Sequence, residues 1–195
     1  MCGIVGYTGN RPAIPILLEG LTSLEYRGYD SAGIAVLSPT GDVTVHKSPG
    51  KLKVLRDSIE NDYSCGFTGI GHTRWATHGG PTVFNSHPHV DCNQDVIIAH
   101  NGIVENYVEI KHELLDQGHK FVSQTDSEVI SHLIEAYLVE EYPMEEAIRK
   151  TATRLKGAHA VVVLHRKEPG KIRAFRVGNA GGIVVGMGED EAYLA

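Results

Sequence analysis

Cys2-Gly3-Ile4-Val5-Gly6-Tyr7, followed by Gly9-Asn10, is a short, partly β-branched run ending in a turn signal, and it reads as a buried strand at the very start of the chain. The far end has the same texture: residues 159–165, 171–177 and 183–186 are β-rich runs separated by glycine-rich turns. Working inward, Pro12 and Pro15 suit a first helical turn, Ile14, Leu17, Leu18, Leu21 and Leu24 recur at helical spacing, and Gly28 can stop that helix. Residues 31–37 and 43–47, joined by Pro39-Thr40-Gly41-Asp42, predict a hairpin, and residues 51–60 carry Leu52, Leu55 and Ile59 on one helical face. Runs at 68–72 and 95–100 read as strands that lead into polar loops within and after the glycine- and histidine-rich region 66–93. Three helices are expected next: 105–117 stopped by Gly118, 129–141 behind a capping box Thr125-Asp126-Ser127-Glu128, and a third opened by Pro143 and stopped by Gly157. Strands at both ends with helices between them argue for a layered α+β fold rather than a simple β/α alternation.

Composition bounds the function classes. The chain has 195 residues, 42% hydrophobic and 22% charged, which excludes a disordered tail or a collagen-like fibre. Its length suggests one domain, able to bury roughly 70% of its unfolded surface without disulfides or metal. Three cysteines do not make a disulfide framework and point to a reducing compartment. With 18 Lys+Arg against 24 Asp+Glu, a net charge of −6 and no block of five basic residues, neither nucleic acid nor an anionic membrane is an expected partner. Apolar runs such as 160–164 are far shorter than a membrane span, and the N-terminus has no secretory pattern, so the expected location is the cytoplasm.

Several residues can carry chemistry. Cys2 would become the N-terminal residue on loss of Met1, and its α-amine could then accept its own thiol proton; a cysteine in an apolar strand is also a common core residue. Arg74, in Gly71-His72-Thr73-Arg74-Trp75-Ala76-Thr77-His78-Gly79, can grip a carboxylate with two parallel hydrogen bonds, Trp75 serving as an apolar wall; it can equally pair with a local acid. Asn101-Gly102 can form an oxyanion hole from a side-chain amide and a backbone N–H, although Asn-Gly is also a turn signal. Asp126 can bind a ligand ammonium or cap the helix that follows. Cys92 with His87 and His89 matches no zinc spacing and is read, with Cys65, as structural; no metal and no cofactor are expected. Together, a self-activated nucleophile, a carboxylate grip, an ammonium grip and an oxyanion hole are the parts needed to hydrolyse the side-chain amide of a zwitterionic amino acid, which glutamine fits.

The same stretches carry a resemblance. Cys2-Gly3-Ile4-Val5-Gly6, Arg27-Gly28-Tyr29-Asp30-Ser31-Ala32-Gly33, residues 72–79, Asn85-Ser86-His87-Pro88-His89, residues 100–106 and Thr125-Asp126-Ser127-Glu128 resemble the N-terminal glutaminase domain of the glucosamine-6-phosphate synthases, type 2 glutamine amidotransferases of the N-terminal-nucleophile class. The resemblance implies a four-layer αββα sandwich and a γ-glutamyl thioester on Cys2. It assigns the oxyanion hole to Asn101 and Gly102, the carboxylate grip to Arg74, the ammonium grip to Asp126, and a glutamine-covering lid to Trp75, Thr77 and His78. It further implies an amidotransferase in amino sugar biosynthesis that feeds ammonia to C-terminal sugar-phosphate isomerase domains, as a homo-oligomer when full length.

Gly178-Asn179-Ala180-Gly181 departs from the family's usual Gly-Ser-Pro-Leu, and residues 2–195 read as a domain cut short of its last strands, with the isomerase domains absent. The rival readings are the glutaminase domain of a purine-pathway amidophosphoribosyltransferase and, if Met1 is retained, a non-catalytic amino-acid-binding module. Trp75, Tyr29 and Ile103-Val104 favour the glucosamine family.

Overall fold

The computed structural model describes residues 2–59 and 66–195. Met1, Glu60 at the end of the second expected helix, and Cys65 lie outside the described residues.

The first strand, β1 (Gly3–Thr8), is followed by α1 (Ala13–Leu24), the hairpin β2 (Ser31–Leu37) and β3 (Val43–Pro49), and α2 (Leu52–Ile59). After β4 (Thr68–Arg74) come β5 (His89–Val90) and β6 (Val96–Gly102), then α3 (Tyr107–Asp116), α4 (Glu128–Val139) and α5 (Met144–Arg154). The chain closes with β7 (His159–His165), β8 (Arg173–Val177), β9 (Val185–Gly188) and β10 (Glu191–Leu194). Two antiparallel sheets result, one in the order β3-β2-β4-β1-β10-β9, the other β5-β6-β7-β8.

The period-2 alternation of the central strands explains the layering. In β6, Val96 and Ile98 pack under α3, α4 and α5, while Ile97 and Ala99 face the other sheet; in β7, Val161 and Val163 pair with the helical side, and Val162 and Leu164 with the sheet interface. In β2, Ile34 and Val36 join α1 and α2, and Ala35 and Leu37 turn inward. The product is a four-layer αββα sandwich with three apolar layers between its slabs. The helices are cut to match: Ile14, Leu17, Leu18 and Leu21 on α1, and Met144, Ala147, Ile148 and Thr151 on α5, are the buried stripes.

Several boundaries differ from expectation for identifiable reasons. The Asn-Gly pair is no turn: Asn101 and Gly102 continue β6, paired with Ala160 and His159. The expected capping box does not form. Ser127 caps α4 without a side-chain hydrogen bond, and Glu128 instead accepts the N–H groups of Val122 and Ser123 at 2.9 and 2.8 Å. Residues 105 and 106 are drawn out of α3 by the connection ahead of β7: Glu105 N–H donates to Lys156 O and Lys156 N–H to Asn106 Oδ1. The α4 helix stops early because Glu141 adopts a left-handed φ of 65°. Neither β5 nor β10 was expected. Yet β10 sits beside β1, with Gly6 opposite Leu194 and Thr8 opposite Ala192.

Candidate active site

The ends of β1, β4 and β6 converge on an open cleft of about 970 Å³, lined by Cys2, Arg74, Trp75, Thr77, Asn101, Gly102 and Asp126 among others. Residues that are 99 positions apart in sequence meet here because β1 and β6 lie on facing sheets: Asn101 Nδ2 donates to the Cys2 carbonyl at 3.2 Å. The Cys2 thiol receives the Trp75 N–H at 3.2 Å. Burial pushes this thiol above its ordinary range, and the Trp75 amide opposes that shift by hydrogen-bonding the thiolate form.

The Asn101 amide is not free to turn. His72 Nε2 lies 3.0 Å from Asn101 Oδ1 and 3.2 Å from His100 O, and both are acceptors, so Nε2 carries the proton. That donation fixes which way the amide faces and leaves its NH2 aimed at Cys2. Burial lowers the His72 pKa to about 4, which keeps it a neutral single donor. Behind it stand three more buried imidazoles. His87 stacks on His72 at 4.2 Å and meets His89 edge-on at 4.4 Å, while His100 Nδ1 lies 2.8 Å from Ser127 Oγ. Burial holds His87, His89 and His100 well below the ordinary histidine range. His87 and His89 therefore belong to the sheet interface, and the trio they could have formed with Cys92 is not assembled.

Gly102 has φ +142°, and a Cβ there would stand 2.3 Å from Ala158 O, so the backbone passes too close to the residue that leads into β7 for any side chain. Arg74 is buried, and its guanidinium donates to the carbonyls of His78, Gly79 and Gly80. It thus secures the loop 75–80 at the cleft mouth as well as lining the cleft. Asp30, to which no role was given from sequence, holds the same loop by accepting the Ala76 N–H. Trp75 is half exposed, its ring edge-on to Tyr29 at 5.3 Å, and Thr77 is exposed. Asp126 is buried, with Oδ2 accepting the Val104 N–H at 2.7 Å and Oδ1 lying 3.8 Å from His78 Nδ1. Asp126 also lines the cleft. Residues 179–184, which overlap the Gly178-Asn179-Ala180-Gly181 stretch, also line the cleft.

His72 and Asp30 are the residues of the candidate site to which the sequence alone assigned no role. A polar ring two positions before Arg74, in a strand of small residues, was the available signal.

A family model described as a glutamine amidotransferase domain matches residues 81–178, half of the chain. The chain belongs to the glutamine amidotransferase family. Its amidotransferase sequence is 49% identical, over its full length, to the glutamine–fructose-6-phosphate aminotransferase (isomerizing) of Caldanaerobacter subterraneus, and 45% identical to that of Thermococcus kodakarensis. It spans about 31% and 32% of those two relatives. The amidotransferase fold superposes on glutamine phosphoribosylpyrophosphate amidotransferase from B. subtilis with a TM-score of 0.83 at 28% identity, covering 100% of this chain and 41% of that one.

Proposed function

We propose that this amidotransferase domain hydrolyses glutamine and supplies the ammonia with which C-terminal sugar-phosphate isomerase domains convert fructose 6-phosphate to glucosamine 6-phosphate. The observation that carries the reading is the Asn101 amide held against Cys2 in one cleft with Arg74 and Asp126. Removal of Met1 frees the Cys2 α-amine, which takes the thiol proton. Sγ then bonds to the side-chain amide carbon of glutamine, and the developing oxyanion is met by Asn101 Nδ2 and the Gly102 N–H. As the C–N bond breaks, the nitrogen takes the proton back from the amine and leaves as ammonia. Water adds to the thioester, the C–S bond breaks, and glutamate leaves with the thiol restored. Arg74 grips the glutamine carboxylate, Asp126 its ammonium, and Trp75, Thr77 and His78 cover it.

The acceptor half of the proposal rests on the glutamine–fructose-6-phosphate aminotransferase activity of relatives at 45–49% identity. The purine-pathway alternative rests on a structural neighbour at 28%. A cytoplasmic setting is supported by the unpaired thiols of Cys2 and Cys92. Self-association of the full-length protein completes the reading, and its mass in solution tests it.

Cys2→Ala is expected to abolish ammonia release from glutamine while leaving glutamine binding measurable by calorimetry. Undiminished turnover in that variant overturns the assignment of the nucleophile.

A further inference from the structure

Some distance from the cleft, on the helical side, four potential ligand atoms converge: Cys92 Sγ from the turn between β5 and β6, His119 Nδ1 from the α3–α4 connection, and His132 Nδ1 and Glu135 Oε2 from α4. All lie within 4.8 Å of one another. Cys92 Sγ is 3.7 Å from His119 Nδ1 and 3.6 Å from His132 Nδ1; Glu135 Oε2 is 2.8 and 3.1 Å from the same two nitrogens. A tetrahedral zinc site with Zn–S of about 2.3 Å and Zn–N of about 2.0 Å has S···N edges of about 3.6 Å and N···O edges of about 3.3 Å. The cluster already has the first edge length and comes within half an ångström of the second.

We propose that Cys92, His119, His132 and Glu135 form a structural binding site for a zinc-like divalent cation.

Hydrogen bonding alone accounts poorly for this cluster. If His132 Nδ1 carries the proton and donates to Glu135, then Nε2, on a side chain only 1% exposed, is a bare acceptor with no donor. With a cation on Nδ1 the proton moves to Nε2, which faces Glu128 Oε1 at 3.7 Å, giving the carboxylate–histidine–metal order usual around bound metals. The outer contacts suit the ligands' charged forms. Lys120 N–H donates to Cys92 Sγ at 3.3 Å, Asn93 Nδ2 donates to Glu135 Oε1 at 2.9 Å, and Oε2, which accepts the Cys92 N–H at 3.3 Å, keeps a second lone pair for the ion. One thiolate, one carboxylate and two neutral imidazoles neutralise a doubly charged ion, and the soft sulfur selects zinc over magnesium or calcium. Four protein ligands leave no open position, so the role is structural. Cys92, at the surface, provides the entry path, and its thiol proton passes to solvent on binding.

The site ties the turn after β5 and the connection before α4 to α4 itself, whose N-terminal flank carries Asp126 and Ser127. The inference does not depend on the identity of the substrate.

The test uses metal-free protein titrated with Co2+ and then Zn2+. One equivalent of Co2+ should bind with the intense visible absorption of a four-coordinate cobalt thiolate, and Zn2+ should displace it. Cys92→Ser should lose the thiolate band, His119→Gln should weaken affinity by roughly tenfold or more, and Cys2→Ala should leave the band unchanged. Independently of any variant, Zn2+ should slow alkylation of Cys92 in the wild-type protein, followed by peptide mass spectrometry. Absence of a saturable one-to-one signal, a band that survives Cys92→Ser or vanishes in Cys2→Ala, or Cys92 alkylation indifferent to Zn2+ overturns the proposal.

Discussion

At the residue scale, the site depends on a side chain that touches no substrate in the proposed chemistry. His72 spends its one proton on Asn101 Oδ1 and His100 O, and so orients the donor that Asn101 offers beside Cys2. Replacing it with a leucine of similar bulk removes the proton but keeps the packing. His72→Leu is expected to lower kcat for ammonia release by about 10- to 100-fold, as misaimed oxyanion donors do, with KM changed by no more than about twofold. Steady-state kinetics decides, and a rise in KM at constant kcat would place His72 in glutamine binding instead. Arg74 belongs to the opposite class. Its fork serves both the loop carbonyls and, in the proposed function, a carboxylate, so Arg74→Lys is expected to raise KM for glutamine about tenfold or more, because a point charge cannot replace two parallel donors. An unaltered concentration dependence would count against the carboxylate role.

At the element scale, the loop that leads into β5 crosses β2 so closely at one point that only glycine fits. A Cβ on Gly33 of β2 would lie 2.1 Å from His87 O and 2.9 Å from His46 O, both backbone atoms that cannot rotate away. Gly33→Ala is therefore expected to destabilise the fold by about 1–3 kcal/mol, read as a lowered urea midpoint at unchanged m-value. Most elements were legible in the sequence because their apolar residues are regularly placed: the stripe of α1 has helical spacing, and β2, β6 and β7 are short continuous apolar, β-branched runs bounded by turn residues. What escaped notice had no such pattern. The strand β5 is two residues long, and β10 is defined only by its pairing with β1. The capping box had the right letters, but Glu128 finds nearer donors in residues 122 and 123. The candidate site divides in the same way. Cys2, Arg74, Asn101 and Asp126 were visible because each is a chemically specific residue at a strand end or a helix start. The Cys92–Glu135 cluster joins three segments at spacings that match no linear ligand motif, so only the tertiary fold reveals it.

At the scale of the whole molecule, the buried imidazoles make acid a general threat. His72, His87, His89 and His100 are all depressed by burial, His72 to about 4. An unfolded chain protonates them near pH 6.5, whereas the folded chain does not. Stability is therefore fully present above about pH 6.5 and is lost as pH falls toward 4, by up to about 1.4 kcal/mol per pH unit for each group. Glu128, whose burial is outweighed by hydrogen bonds from Ser123 and the Val122 N–H, is lowered to about 2 and adds to the loss below pH 4.5. Asp91, raised to about 6 by burial, works in the opposite sense, contributing stability below about 3.8 that is lost as pH rises through 6, but it is one group against the four imidazoles and Glu128. Melting temperature measured from pH 8 to pH 4 should be flat at first and then fall steeply below about 6.5. A maximum near pH 5 would contradict the neutral-imidazole account.

The pairing of β1 with β10 also governs the order in which the molecule can be assembled. Gly6 meets Leu194 and Tyr7 meets Tyr193, and the junction is fastened by Tyr7 Oη donating to Glu191 at 3.1 Å and by the Arg11–Glu191 ion pair. During synthesis β1 emerges before the other strands of its sheet but keeps one open edge until β10, nearly the whole of this sequence later, has left the ribosome. A contact of such long range is slow to form. Until it does, β1 presents unpaired backbone amides of the kind that invite neighbouring chains to add a strand.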